Sequence, residues 1–149
     1  MSDTDKPLVE AEARCACGAI AVAVKGRVLS MLICACEDCQ KATGSGHSTV
    51  ALFRSTDVSV TGDAGTFARP ANSGATFTRW FCPDCGTPLW GRSSRAEAII
   101  VVPVGLFGRA AEWFRPSQLI FARSHHDWDA VDAALPRWQT YRDEERQPE

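Results

Sequence analysis

Seven cysteines fall into three tight groups, and no other feature of the sequence constrains the fold as strongly. The groups are Cys15-Ala16-Cys17-Gly18, Cys34-Ala35-Cys36-Glu37-Asp38-Cys39 and Cys82-Pro83-Asp84-Cys85-Gly86. Zinc in a structural site takes four ligands in a tetrahedron, with sulfur at roughly 2.3 Å. An extended Cys-x-Cys holds its thiols too far apart for that, so each group predicts a tight turn. Gly18 and Gly86, each just after a pair, supply the conformational freedom such turns need, while Pro83 presets one dihedral and Asp84 is a common turn residue. The first and third groups hold two cysteines each and complete one another as a closed four-thiolate site: Cys15, Cys17, Cys82 and Cys85. The central group offers Cys34, Cys36 and Cys39 within six residues, and no eighth cysteine exists to close it. Three ligands and one open position are the arrangement of a catalytic rather than a structural zinc. In an alternative partition the central three recruit one outside cysteine and leave three spread over two distant turns.

Other uses of cysteine fit less well. Buried free thiols do behave as small hydrophobes, but they do not cluster at metal-ligand spacing. An odd count argues against a disulfide framework. The start, MSDTDKPLVEAEAR, lacks the basic and then apolar stretch of a secretory signal, so a reducing, cytoplasmic location is expected. The longest apolar run, from Ala98 to Leu106, is interrupted by Pro103 and is too short to cross a bilayer. A formal net charge of −2 gives no footprint for nucleic acid or an anionic membrane. A dithiol redox role for Cys36 and Cys39, or for Cys82 and Cys85, would call for a βαβ context that neither pair has.

The length suits one domain with a core of its own, here expected over residues 13–141, with disordered tails at 1–12 and 142–149. Short runs rich in β-branched residues predict strands at Ala19–Val24, Thr49–Phe53, Val58–Val60, Phe77–Phe81 and Ala98–Val102. Turn residues such as Arg69-Pro70-Ala71-Asn72-Ser73-Gly74 separate them. Glu37–Thr43 reads as one short helical turn, and a weak helical period runs from Asp127 to Leu135. No crossover helices are present, so the expected class is mainly β and antiparallel.

The same cysteine motifs carry a resemblance to the glutathione-dependent formaldehyde-activating enzyme family, which also includes the vertebrate centromere protein V. The matching pieces are Cys15-x-Cys17-Gly18, Cys34-x-Cys36-x-x-Cys39-Gln40-Lys41-x-x-Gly44 and Phe81-Cys82-x-x-Cys85-Gly86-Thr87-x-Leu89, within about Arg14 to Pro136. The resemblance implies a β-tent fold of several coiled antiparallel sheets stabilised by zinc. It also implies two zincs per chain, a structural one on Cys15, Cys17, Cys82 and Cys85 and a second on Cys34, Cys36 and Cys39. The implied activity is that of a carbon–sulfur lyase joining glutathione, or a similar small thiol, to an aldehyde. Position 35 is Ala where many members carry His, so no proton-transfer role carries over to it.

Three thiolates leave a zinc site formally near −1, a weak Lewis acid whose readier task is to hold a substrate thiol as thiolate. The stretch Gln40 to His47 follows the last ligand directly, which makes Lys41, Ser45 and His47 the candidate substrate-binding residues. Lys41 suits a glutathione carboxylate or is a solvated lysine. His47 suits proton transfer or a fourth ligand, or is an ordinary strand-edge histidine. His125 and His126 read as a surface turn, and Trp80 and Trp90 as packing around the third cysteine group. Two competing functions remain: a non-catalytic zinc-binding interaction module, whose second site would be closed by a fourth ligand, and a redox protein without zinc.

Overall fold

A computed structural model describes residues 4–141 of the chain. With 41% strand against 15% helix it is mainly β, with antiparallel and mixed sheets, as the sequence leads one to expect. The described residues divide into two compact units. One is drawn from Ala51–Phe114 together with the chain up to Ser30, the other from Met31–Val50 together with the chain from Arg115 onward.

In the first unit, β1 (Leu8–Arg14), β2 (Ala21–Arg27) and β5 (Val58–Thr61) form a three-stranded sheet in the order β1-β2-β5. The β1–β2 register runs from Leu8 opposite Arg27 to Arg14 opposite Ala21, so the strands turn about residues 15–20. A second antiparallel set, in the order β9-β8-β7-β6, comprises β6 (Gly65–Pro70), β7 (Thr76–Phe81), β8 (Pro88–Ser93) and β9 (Ile99–Pro103). The β7–β8 ladder has a bulge between Trp80 and Phe81, just before its turn. The unit's core is largely β-branched and aromatic, with Ile20, Val22, Val24, Val28, Phe53, Leu89 and Val102 all but sealed from solvent. These are residues whose stiff or bulky side chains suit a pleated surface.

The second unit contains β3 (Ser30–Cys34) from Met31 onward, β4 (Ser48–Arg54) as far as Val50, and β10 (Leu119–Ile120), in the order β10-β3-β4, with β10 parallel to β3. Between β3 and β4 lies α1 (Glu37–Thr43). Its acidic first turn and Lys41 in the last turn complement the helix dipole, and Gly44 ends it at φ 69°. Two apolar clusters hold the unit together: Ile33, Ala35 and Leu119 in one, and Cys34, Cys36, Ile120 and Phe121 in the other.

Two expectations change. Residues 8–12 are not a tail but most of β1, where Val9 and Ala13 are buried. The expected tails at 1–3 and 142–149 lie outside the described residues. Asp127–Leu135 forms turns rather than a helix. There the Asp132 carboxylate takes the Ala134 amide at 2.9 Å, the local bonding by which aspartate competes with helix, while Val131 and Leu135 still pack on the Ile33–Leu119 cluster.

Candidate metal centres

The first cysteine cluster stands on two hairpin tips. At the β1–β2 turn the Cys15 amide donates to Ile20 O at 3.0 Å and the Gly18 amide to Cys15 O at 2.9 Å. At the β7–β8 turn the Cys82 amide donates to Thr87 O at 3.0 Å and the Gly86 amide to Cys82 O at 2.8 Å. Gly18 and Gly86 sit at φ 81° and 77°, a left-handed backbone that closes each loop without the penalty a Cβ would bring. The Ala16 amide donates to Thr87 Oγ1 at 3.1 Å, tying one tip to the other.

The sulfurs of Cys15, Cys17, Cys82 and Cys85 lie within 4.8 Å of one another. The Cys15–Cys17 and Cys17–Cys82 separations are both 3.6 Å. A disulfide needs about 2.05 Å, whereas a tetrahedron with zinc–sulfur bonds of about 2.3 Å has edges of about 3.8 Å. The spacing therefore suits a shared metal and not a covalent bond. Backbone and hydroxyl donors already favour anionic sulfur here. The Thr87 hydroxyl and amide hold Cys85 down at about 5. Burial opposes ionisation of Cys15, but the Ile20 amide, 3.3 Å from its sulfur, together with hydrogen bonds from Cys17 and Cys82 outweighs it, and the net shift is downward. Cys17 has the Ala19 amide in its favour, yet the neighbouring Cys15 and Cys82 sulfurs push it up to about 12. Without a cation, four thiols this close cannot all ionise.

The second cluster is Cys34, Cys36 and Cys39, also within 4.8 Å of one another. Cys34 ends β3, Cys36 caps α1 with its sulfur 3.4 Å from the Cys39 amide, and Cys39 lies one turn into the helix. Cys34 and Cys36 are buried, and Trp138 and Tyr141 pack against their cluster. Cys36, then Cys39, and then burial drive the Cys34 thiol far up. Cys39 is eased by Cys34 but opposed by Cys36 and by burial, and reaches about 11. Three crowded thiols, two of them buried, that cannot all ionise together are relieved by a divalent cation, so this donor set also fits a metal. Among the described residues no histidine or carboxylate joins either cluster.

The candidate substrate-binding residues separate. Lys41 is exposed in the last turn of α1, and Ser45 is exposed beyond it with its amide on Thr43 Oγ1 at 3.2 Å. His47 faces a partner that no local pattern could single out: its Nδ1 is 2.6 Å from Asp129 Oδ2, and that oxygen is also 3.1 Å from His125 Nε2. His125 is accordingly half-buried rather than part of a free surface turn; only its spacing of four residues from Asp129 hinted at the pairing. The side-chain amide of Gln40 donates to Ala35 O at 2.9 Å and Ser124 O at 3.0 Å, and its oxygen meets His126 Nε2 at 3.1 Å. Ala35 is fully buried beside Ile33 and Leu119, so what this position offers is its carbonyl, bonded by Gln40 and by Ser124 Oγ. Trp80 and Trp90 stack face to face, 5.0 Å between centroids.

A mainly β chain with two clusters of converging cysteines, spaced for a common ion, is of the class equipped to hold metal through sulfur. Residues 10–124 match the family model of the glutathione-dependent formaldehyde-activating enzyme, and the chain belongs to that family. A protein of Sordaria macrospora, provisionally named for that activity, is 33% identical over 75 residues, which is 50% of this chain and 31% of that protein. A Penicillium rubens protein of the same provisional name is 35% identical over 78 residues, 52% of this chain and 40% of its own. The match thus spans well under half of each relative. A Rhodobacter sphaeroides protein of known crystal structure shares the fold at a TM-score of 0.54 and 17% identity, covering 86% of this chain and 99% of that one. Among the described residues no helix is long and apolar enough to cross a membrane.

Proposed function

We propose that the chain is a zinc-dependent carbon–sulfur lyase acting on adducts of glutathione, or a similar small thiol, with an aldehyde, in a reducing cytoplasmic setting. The observation that carries this reading is the converging triad Cys34, Cys36 and Cys39 with no fourth protein donor among the described residues, in a chain of this family. Cys15, Cys17, Cys82 and Cys85 hold a structural zinc, and the triad holds the second. Bound at the triad, zinc supplies the positive charge that keeps a substrate thiol ionised. In the forward direction the thiol sulfur bonds to the aldehyde carbon, the C=O π bond opens and the thiol proton ends on oxygen; the reverse breaks that carbon–sulfur bond. Lys41, exposed in the last turn of α1, meets a carboxylate of the thiol, and Ser45, exposed beyond that helix, adds a hydroxyl. His47, oriented by Asp129, keeps Nε2 available as the proton acceptor.

A second reading, a zinc-binding interaction module, is favoured by the burial of Cys34 and Cys36 beneath Trp138 and Tyr141. One experiment separates the two. Zinc per chain is measured on protein purified without chelator, and carbon-13 NMR then follows labelled formaldehyde with glutathione at catalytic protein concentrations. Two zincs and faster formation of the S-hydroxymethyl adduct support the enzyme. Two zincs with the uncatalysed rate, for formaldehyde and for a panel of larger aldehydes, support the module. No zinc, with thiols missing from the denatured count, overturns both.

A further inference from the structure

Trp128 is 71% exposed, more than any other large apolar residue described, and yet it is braced on both sides. Its indole stacks on the His126 imidazole, with centroids 4.9 Å apart and planes 14° from parallel. His126 Nε2 in turn meets Gln40 Oε1 at 3.1 Å, and the Gln40 side-chain amide is bonded to Ala35 O and Ser124 O. On the other side of Trp128, Asp129 holds His47 Nδ1 at 2.6 Å. The Asp129 amide donates to His126 O at 3.1 Å and closes the turn that presents the indole. The ring is thereby fastened through its neighbours to Gln40 and His47, the two ends of the stretch that follows Cys39. Single exposed apolar residues are ordinary on a protein surface. An exposed indole tied at two points to the loop beyond a candidate metal ligand is not of that kind.

The three cysteines are unequally covered. Cys34 and Cys36 are buried, with Trp138 and Tyr141 packed against their cluster, whereas Cys39 is half-buried and is the least covered of the three. Gln40 is the next residue of α1, and exposed Lys41 follows it. With one face against His126, an indole this exposed turns its other face to solvent. A rigid aromatic face favours a second flat ring, and little freedom is lost when the two meet. Formaldehyde has nothing to place there, since its carbon carries only hydrogens and oxygen.

We propose that Trp128 is a specificity-determining residue, a stacking platform for the aldehyde-derived part of the substrate, and that the aldehydes preferred by this chain are aromatic. This rests on the reading of the chain as an enzyme of thiol–aldehyde adducts at Cys34, Cys36 and Cys39. The aryl group of such an adduct is one bond from the carbon that bears the sulfur, and it stacks on the free face of the indole. The imidazole of His126 backs that indole, and Gln40 keeps the imidazole in register with the helix that carries Cys39. Trp128 lies beyond residues 10–124, so the platform falls outside the segment that carries the family match.

The test is calorimetric titration of the zinc-loaded full chain with S-methylglutathione and S-benzylglutathione, for the wild type, Trp128→Ala and Trp128→Phe. Both probes are stable thioethers that keep the carbon–sulfur bond of an adduct, and they differ only in the ring. The wild type is expected to bind the benzyl compound about 10-fold more tightly. Trp128→Ala brings the two to parity by weakening the benzyl compound alone, and Trp128→Phe retains most of the preference. Parity in the wild type, or a preference that survives in Trp128→Ala, overturns this proposal and leaves the enzyme reading standing. A Trp128→Ala variant that loses both probes equally places the ring on the glutathione part and overturns it as well. A wild-type chain that binds neither probe overturns the reading of the site as one for thiol adducts, and the proposal with it.

Discussion

His47 Nδ1 and Asp129 Oδ2 lie 2.6 Å apart across 82 residues of sequence, and the same oxygen receives His125 Nε2 at 3.1 Å. One carboxylate thus orients two of the chain's three histidines and pins the loop after α1 to the 125–129 turn. The approach depends on Gly46, because a Cβ there would stand 2.6 Å from Asp129 Cγ. With Nδ1 of His47 and Nε2 of His125 committed as donors, the tautomer of each neutral ring is set.

The bond gives Asp129 a pH signature. Burial pulls its carboxyl value up, but the His47 hydrogen bond and the charges of His47 and His125 outweigh this, and the net shift is downward. A depressed folded value means the contribution is fully present above the ordinary carboxyl value of 3.8 and is lost as pH falls through the lower folded value. Asp129→Asn keeps the shape and removes the charge. It is expected to destabilise by about 1–3 kcal/mol at pH 7, with the gap narrowing below pH 3.8. Urea denaturation of both proteins from pH 7 to 3 measures it; a gap that does not change with pH rules the charge out as the cause.

Thiol reactivity should separate the cysteines of the first cluster. Cys17 and Cys85 are both exposed, but Cys85 is held down at about 5 by Thr87 while Cys17 is pushed up to about 12. The thiolate is the nucleophile, so in metal-free protein at pH 6–7 iodoacetamide labels Cys85 first and Cys17 slowly. Thr87→Val removes the hydroxyl 3.2 Å from the Cys85 sulfur and slows that labelling. Peptide mass spectrometry over time gives both rates, and equal rates for the two cysteines would refute the assignment.

How far the fold could be read from the sequence depended on how local each signal was. Spacing within ten residues, together with Gly18 and Gly86, was enough to place turns at 15–18 and 82–86 and to group the seven cysteines into the sets that do converge. The β-branched runs at Thr49–Phe53 and Ala98–Val102 became β4 and β9 for the same reason. β1 escaped because Leu8-Val9-Glu10-Ala11-Glu12-Ala13 looks acidic and featureless, though its alternation of Val9 and Ala13 inward with Glu10 outward is a period of two. Gly65–Pro70 was hidden by its terminal glycine and proline, since its pairing is supplied by Thr76–Phe81 and not by its own propensity. Asp129 could not be matched to His47, nor Trp138 to Cys34 and Cys36, because no local pattern encodes a contact over such separations.

Gly91 shows a constraint of this long-range kind that stability can test. It pairs opposite Arg79 in the β7–β8 ladder, and a Cβ on it would run into the Phe77 ring. That ring is also covered by the Arg69 guanidinium, 5.0 Å from its centroid. Gly91→Ala is expected to destabilise by about 1–3 kcal/mol through overpacking. In a Phe77→Ala background the added penalty should vanish, and a double-mutant cycle from urea midpoints reports the coupling. Equal penalties in both backgrounds would show that the ring does not set the need for glycine.

Phe121 sets two large effects against each other. Its left-handed backbone costs about 1–2 kcal/mol relative to an ordinary conformation, and glycine would escape that cost. Its ring is 2% exposed, stands edge-on to Tyr141 at 4.9 Å and lies 5.5 Å from the Arg123 guanidinium, so deleting it forfeits about 3–5 kcal/mol. Packing is the larger effect, and Phe121→Gly is therefore destabilised by about 2–4 kcal/mol overall. Phe121→Ala loses the same ring and keeps the strain, so it should be the worse of the two by about 1 kcal/mol. This inverts the usual ranking, in which alanine stabilises relative to glycine by restricting the unfolded chain. Urea unfolding of the two variants side by side decides it: glycine the more stable confirms that φ 56° is imposed by the Thr140 and Ser124 bonds around Phe121, whereas alanine the more stable would mean that the backbone relaxes once the ring is gone.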